Sequence, residues 1–246
     1  MHTIGIDVGG SSIKAAVIDT TAGHVVGDRL KVESSDGFRR ADMVPLIAEV
    51  AARLGDHPVG IGFPGVVVDG VLRTNPTSHE VPGWQGADLA AEVAEHLGRR
   101  VRIANDADVA GIAEQRFGAA AGVAGTVIVL TFGTGIGSAL LNDGRLVPNV
   151  ELGRIYLRGH DEVVEEHAAA RIRTEQGLDW PTFGDRIQDL LAHLERILAP
   201  SLFVLGGGVS DHAEEYVDRL DLVAPVVPAR LRSRAGIIGA GLLAAP

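Results

Sequence analysis

Asn105, Asp106 and Asp108 fall together in the stretch VRIANDADVAG. An apolar run ends at Ala104 just before them, and Val109, Ala110 and Ile112 follow with the spacing of one helical face. A carboxylate carried to the end of a strand can act as a general base. Asp106 is therefore the candidate to accept a hydroxyl proton as that oxygen attacks a phosphoryl group. Asn105 offers both a donor and an acceptor, which suits a sugar hydroxyl. Asp108, at the start of the following helix, is read as its N-cap.

Two glycine-rich turns supply the chemistry on the phosphate side. In DVGGSSIK, Gly9 and Gly10 let backbone N–H groups approach phosphate oxygens, Ser11 adds a hydroxyl donor, and Lys14 on the next strand can point at the phosphates. Asp7 opposes a Mg²⁺ ion through water, since that ion keeps much of its hydration shell. In LTFGTGIGSAL, Thr131, Gly133, Thr134, Gly135 and Gly137 build a second such turn. It lacks the Gly-Lys-Ser/Thr of a P-loop. Gly206, Gly207 and Gly208 end the apolar run FVLGGGVS and leave a floor without side chains for a purine or a run of phosphates. Glu151 in PNVELGR can hold two vicinal hydroxyls. Arg230, Arg232 and Arg234 are a candidate track for a polyanion. His160 and His167 lie among acids in GHDEVVEEH at a spacing that fits no standard metal signature, so a solvated charged helix is expected there.

The elements that must position these residues repeat. Residues 4–26 and 128–147 each read as strand, Gly-rich turn, strand, Gly-containing turn and strand, with Asp7 corresponding to Thr131. After the first hairpin the sequence predicts a helix over 41–54, with Pro45 in its first turn. A strand at PVGIGFPG, a helix ending at Gly98, the strand VRIAND and a helix over 108–118 follow. After the second come helical stretches near 161–175 and 183–198, strands at SLFVLGGG and APVVPA, and a C-terminal helix. The expectation is an α/β fold of two lobes, with ligands at the carboxyl ends of parallel strands.

Composition limits the function classes. The 246 residues are 46% hydrophobic and 22% charged, with no cysteine and hence neither disulfides nor thiolate metal sites. A formal net charge of −10 argues against nonspecific nucleic-acid binding. No apolar run reaches the roughly 20 residues that span a bilayer. MHTIGID enters a strand at once, so no signal peptide and a cytoplasmic address are expected.

Taken together, GIDVGGSSIK, GFPGVV, NDADVAG, LTFGTGIGSAL, PNVELG and FVLGGGVS resemble the ROK sugar kinases of the actin-like ATPase superfamily, and within them the polyphosphate-using glucokinases. The resemblance runs from Ile4 to about Gly241. It implies two ribonuclease-H-like lobes around a central cleft: an N-terminal lobe of residues 1–109, with the helix 236–246 packing back on it, and a C-terminal lobe of residues 110–235. It implies a homodimer, Mg²⁺, and transfer from inorganic polyphosphate or ATP to the 6-hydroxyl of glucose or another hexose. Asp106 would be the base, Asn105 and Glu151 would hold the sugar, and Gly206–Gly208 would lie on the adenosine side.

The sequence departs from that pattern in several places. Arg154 stands where the family places a sugar-binding His, and its expected partner is a phosphate, a sugar hydroxyl or an acid such as Asp161. Ser12 replaces a usual Gly, and RSRAG replaces a usual Asn-Asn before Ala-Gly. The Cys-rich zinc motif of many ROK kinases is absent, so zinc is not expected. The phosphate hairpin opens the sequence, so the DNA-binding domain of ROK repressors is not expected. Two alternatives stay open: a kinase of the same fold for another hydroxyl acceptor, motivated by Arg154, and a non-catalytic sugar- or phosphate-binding protein. Retention of Asp7, Lys14, Asp106 and Glu151 speaks against the second.

Overall fold

The computed structural model describes residues 1–76 and 81–246. The chain forms two compact units, one of residues 1–113 with 234–246, the other of residues 114–233.

In the first unit β1 (His2–Val8), β2 (Ser12–Asp19) and β3 (His24–Glu33) form an antiparallel meander. Then come α1 (Arg40–Ala52), β4 (Val59–Phe63), the small hairpin of β5 (Val67–Val68) and β6 (Val71–Leu72), α2 (Leu89–Leu97), β7 (Val101–Asn105) and α3 (Asp106–Phe117). The sheet order is β3-β2-β1-β4-β7, with β1, β4 and β7 parallel. α1 begins at Arg40, so Pro45 lies in its second turn rather than its first and forfeits one helical hydrogen bond. Five consecutive buried residues make β4 a central strand, apolar on both faces.

The last helix of the chain, Ala235–Ala244, also belongs to this unit, and glycines explain its fit. A Cβ on Gly5 would lie 1.9 Å from the Ile237 carbonyl oxygen, and one on Gly60 would lie 1.8 Å from that of Ala240. Side chains there would push the helix off the sheet.

The second unit repeats the plan with β8 (Thr126–Phe132), β9 (Ile136–Asn142) and β10 (Arg145–Val147) as the meander. The short helices α4 (Glu165–Ala168) and α5 (Ala170–Glu175) come next, then α6 (Trp180–Leu198), β11 (Leu202–Gly207) and β12 (Val226–Pro228). The chain then returns to the first unit as α7 (Ala235–Ala244). The order β10-β9-β8-β11-β12 matches the first sheet strand for strand. α6 is amphipathic: Phe183, Ile187, Leu190, Leu191 and Leu194 form its buried stripe. Asp179 caps it by accepting from the Thr182 N–H at 2.8 Å. The expected helix over 161–175 is broken at Ala169, whose ψ of 154° is extended.

The register carries the internal repeat to single residues. Asp7 is the penultimate residue of β1 and pairs with Lys14 and Gly62. Thr131 is the penultimate residue of β8 and pairs with Gly137 and Gly206.

Candidate active site

In the first unit the carboxyl ends of β1, β4 and β7 lie side by side, with Asp7 in register with Gly62 and Phe63 in register with Asn105. Asn105 is buried. Its Oδ1 accepts from the Ala107 N–H at 2.8 Å and the Asp108 N–H at 3.0 Å, and its Nδ2 donates to the Gly65 carbonyl at 3.3 Å. Asn105 is thus the N-cap of α3, which corrects the expectation for Asp108. The helix starts two residues earlier than the apolar spacing suggests, so Asp108 lies inside its first turn and is buried. Asp106, the first helical residue, is half-buried, and its Oδ1 accepts from the Ala107 N–H at 2.8 Å. Asn105 therefore fixes the helix start, and the helix start fixes where the Asp106 carboxylate stands.

On the β1–β2 hairpin, Lys14 Nζ is 3.6 Å from Asp7 Oδ2. Burial pushes the Asp7 carboxyl above its ordinary pKa, opposed by the nearby Lys14 and Arg29 charges. Gly236 in the first turn of α7 lies so close that a Cβ there would be 2.9 Å from Asp7 Cγ. Gly9 donates its N–H to the Ser12 carbonyl at 3.0 Å and accepts from the Ser34 hydroxyl at 2.8 Å. Gly10 is half-buried, Ser11 exposed and Ser12 buried.

In the second unit the residues from Thr131 to Arg154 form one assembly. Ser138 Oγ donates to the Val150 carbonyl and accepts from the Leu152 N–H at 2.8 Å, which ties the turn carrying Glu151 to β9. Gly153 packs so tightly that a Cβ would lie 2.1 Å from the Ile136 carbonyl oxygen. Glu151 is half-buried. Burial raises its pKa, Arg154 pulls it down, and the Glu165 carboxylate pushes it up again.

The acid that Arg154 meets is Glu165, at 3.0 Å, whereas Asp161 is exposed. Glu165 is nearer because the other oxygen of its carboxylate accepts from the Ile136 N–H at 3.2 Å and sits against Gly135, where a Cβ would be 2.5 Å away. From α5, Arg171 donates its N–H to the Gly133 carbonyl at 3.1 Å and its Nε to the Thr134 carbonyl at 2.7 Å, while Glu166 and Glu175 hold its guanidinium. The two short helices therefore clamp the Gly/Thr turn by its backbone. Sequence reasoning missed Glu165 and Arg171. Their segment carries acids and bases at spacings that fit a solvated helix equally well.

Of the three glycines at and just past the end of β11, only Gly207 is required by the backbone. Its φ is +78°, and a Cβ would lie 2.1 Å from the Phe132 carbonyl oxygen. Gly206 has ordinary neighbours, and Gly208 has open space around its Cβ position. Arg230, Arg232 and Arg234 are all exposed, with Arg232 paired to Asp211 at 3.1 Å. The Arg230 and Leu231 N–H groups donate to the buried carboxylate of Glu114, at 3.2 and 2.7 Å. Among the described residues no group of three or more His, Asp or Glu side chains is arranged to hold a metal ion.

The model of the ROK family matches residues 3–160. The chain belongs to the ROK family. The matched segment contains both Gly-rich hairpins, Asp106 and the Glu151–Arg154 turn. Polyphosphate glucokinase of Mycobacterium tuberculosis is 39% identical over 243 residues, 98% of this chain and 90% of its own. A polyphosphate glucokinase of Mycobacterium leprae is 37% identical over 97% of this chain and 73% of its own. The solved inorganic polyphosphate/ATP-glucomannokinase of Arthrobacter sp. strain KM superposes with a TM-score of 0.92 at 41% identity, covering 99% of this chain and 98% of that one. A ROK family glucokinase from Streptomyces griseus, solved with glucose and AMPPNP, superposes at 0.79 with 26% identity, covering 98% of each chain. The mixed α/β architecture is therefore that of the ROK sugar kinases, the actin-like ATPase fold. No helix among the described residues is long and apolar enough to cross a membrane.

Proposed function

We propose that this ROK-family chain phosphorylates the 6-hydroxyl of glucose with inorganic polyphosphate or ATP as donor. The observation that carries this reading is similarity along nearly the whole chain to polyphosphate glucokinases and to a polyphosphate/ATP-glucomannokinase. Asp106 at the head of α3, at the carboxyl edge of the first sheet, supports it. In the reaction Asp106 accepts the proton of the 6-hydroxyl while that oxygen forms a bond to the terminal phosphorus. The bond from phosphorus to the bridging oxygen breaks, and its electron pair leaves with the shortened polyphosphate or ADP. Glu151 accepts from sugar hydroxyls. The Asn105 amide carbonyl is committed to the helix cap and its amide nitrogen donates to the Gly65 carbonyl, so Asn105 serves the site by fixing where α3 and the Asp106 carboxylate begin.

In the first unit Gly10, Ser11 and Lys14 are the groups for phosphate oxygens, and Gly9, whose N–H is spent on the Ser12 carbonyl, shapes the turn that carries them. In the second unit Thr131, Gly133, Thr134, Gly135 and Gly137 are the phosphate candidates, and Gly206–Gly208 those for the nucleotide or chain. Mg²⁺ fits the residues present only as a hydrated ion: Asp7 is a single half-buried carboxylate already near Lys14. Asp7 would hold it through water, and the ion would supply charge neutralisation on the donor phosphates. A cytoplasmic homodimer completes the reading.

A second acceptor is kept in view by Arg154, which brings a charged fork to the turn carrying Glu151. Arg154 pairs with Glu165, whose carboxylate is tied to the Gly/Thr turn, while its charge still reaches Glu151. One coupled assay tests both readings: ATP and polyphosphate as donors, over a panel including glucose, mannose and fructose. Glucose phosphorylation with polyphosphate is the expected result. A strong preference for another acceptor transfers the assignment to that sugar, and no turnover with any hexose overturns it.

A further inference from the structure

The histidines of GHDEVVEEH find a role once α6 is in place. An open surface pocket of about 240 Å³ lies between the segment after Arg154 and α6, lined by the exposed Arg158, His160, Asp189 and Arg196 and the half-buried His193. Residues 189, 193 and 196 share one face of α6, opposite its buried stripe. Among the described residues Arg158 and Arg196 have no ion-pair or side-chain hydrogen-bond partner, whereas Arg154, Arg171 and Arg186 of the same unit are all engaged. Asp189, the one carboxylate in the lining, stands 3.8 Å from His167 Nε2, and the His167 ring packs against His160 with centroids 4.4 Å apart. The pocket thus offers two fixed positive charges against one negative, plus two imidazole donors, in a chain of net charge −10.

We propose that this pocket is a second anion site that takes a stretch of phosphoanhydride chain. Each guanidinium fork binds two oxygens of one phosphate group, and the imidazole N–H groups add single bonds. A lone monoanion engages one fork, while a chain bearing oxygens at every phosphorus engages both. The pocket is smaller than a typical small-ligand site, which suits a short stretch of a polymer whose ends run out to solvent. In an acidic protein such a local cluster is what holds a polyanion against the general repulsion. The choice of a phosphate chain as ligand rests on the donor assigned above; the anion site itself does not.

The test is titration of the whole protein, without sugar, with orthophosphate and tripolyphosphate at low salt. Tripolyphosphate should bind clearly more tightly than orthophosphate. In Arg158→Gln/Arg196→Gln its Kd should rise about 10-fold or more, the effect of losing two charge-assisted contacts. That variant should keep wild-type phosphorylation of glucose with ATP, which shows that it is folded. In the wild type, tripolyphosphate should also protect His193 from diethyl pyrocarbonate. Unchanged tripolyphosphate affinity in the double variant, or no protection of His193, overturns the site. So does an RNA oligomer that occupies it when tripolyphosphate does not. Tight binding here by a protein unable to use polyphosphate as donor keeps the site and overturns the donor assignment instead.

Discussion

At the scale of single residues, chemistry and folding share the same side chains. Asn105 spends its carbonyl on capping α3, and that cap places Asp106. Asp106→Asn keeps the shape and removes the base, so kcat should fall at least ~10²-fold while the glucose KM changes little. Near-wild-type turnover would remove Asp106 from this role. Glu151 is balanced between burial and the Glu165 charge, which raise its pKa, and Arg154, which lowers it. Arg154→Ala removes the lowering influence, so Glu151 should take up its proton at higher pH. The acid limb of the kcat/KM profile for glucose should then move to higher pH. A limb that stays in place would mean that Glu151 need not be ionised to hold the sugar.

At the scale of elements, a few buried polar groups pin the loops that carry the site. Glu114 is fully buried, and its carboxylate accepts from the N–H groups of Ala119, Arg230 and Leu231. It fastens the end of α3 to the segment after β12. Glu114→Ala should destabilise the protein by about 2–5 kcal/mol, because buried N–H groups lose their acceptor, and Glu114→Gln should cost less. Urea denaturation of the three proteins checks the order; equal stabilities would show that water replaces the carboxylate without penalty. Elements also show where sequence periodicity fails. The strands of the two main sheets and the helix over 183–198 were legible, whereas the short β5–β6 hairpin was not read from the sequence. The start of α3, the break at Ala169 and the position of Pro45 were not, because each depends on hydrogen bonds that apolar spacing does not encode.

At the scale of the whole molecule, the proposed donors are polyanions and the chain is acidic, so arginines outside the Gly-rich turns are the candidates for telling a long donor from ATP. Arg230 is exposed, and Arg232 pairs with Asp211 on the surface, an ion pair of little intrinsic strength. If they form a track, Arg230→Gln/Arg232→Gln should raise the polyphosphate KM several-fold and leave the ATP KM unchanged. In the wild type the polyphosphate KM should rise with salt, as exposed charges are screened over about 10 Å at 0.1 M. Equal changes for both donors would show that no dedicated track exists at this turn.

The sequence alone determined the repeated hairpins, the pairing of Asp7 with Thr131 as equivalent positions, and the candidate base, because glycines, hydroxyls and carboxylates at strand ends have few other uses. The resemblance of six motifs as a set carried the family. Tertiary structure alone decided that Asn105 is the cap, that Arg154 pairs with Glu165 rather than Asp161, that Arg171 clamps the Gly/Thr turn, and that Arg158 and Arg196 share a pocket. The physical reason is common to all four. A side chain's partner is set by which backbone groups and which helix face the fold brings within about 3 Å, and residues far apart in sequence carry no periodic mark of that approach.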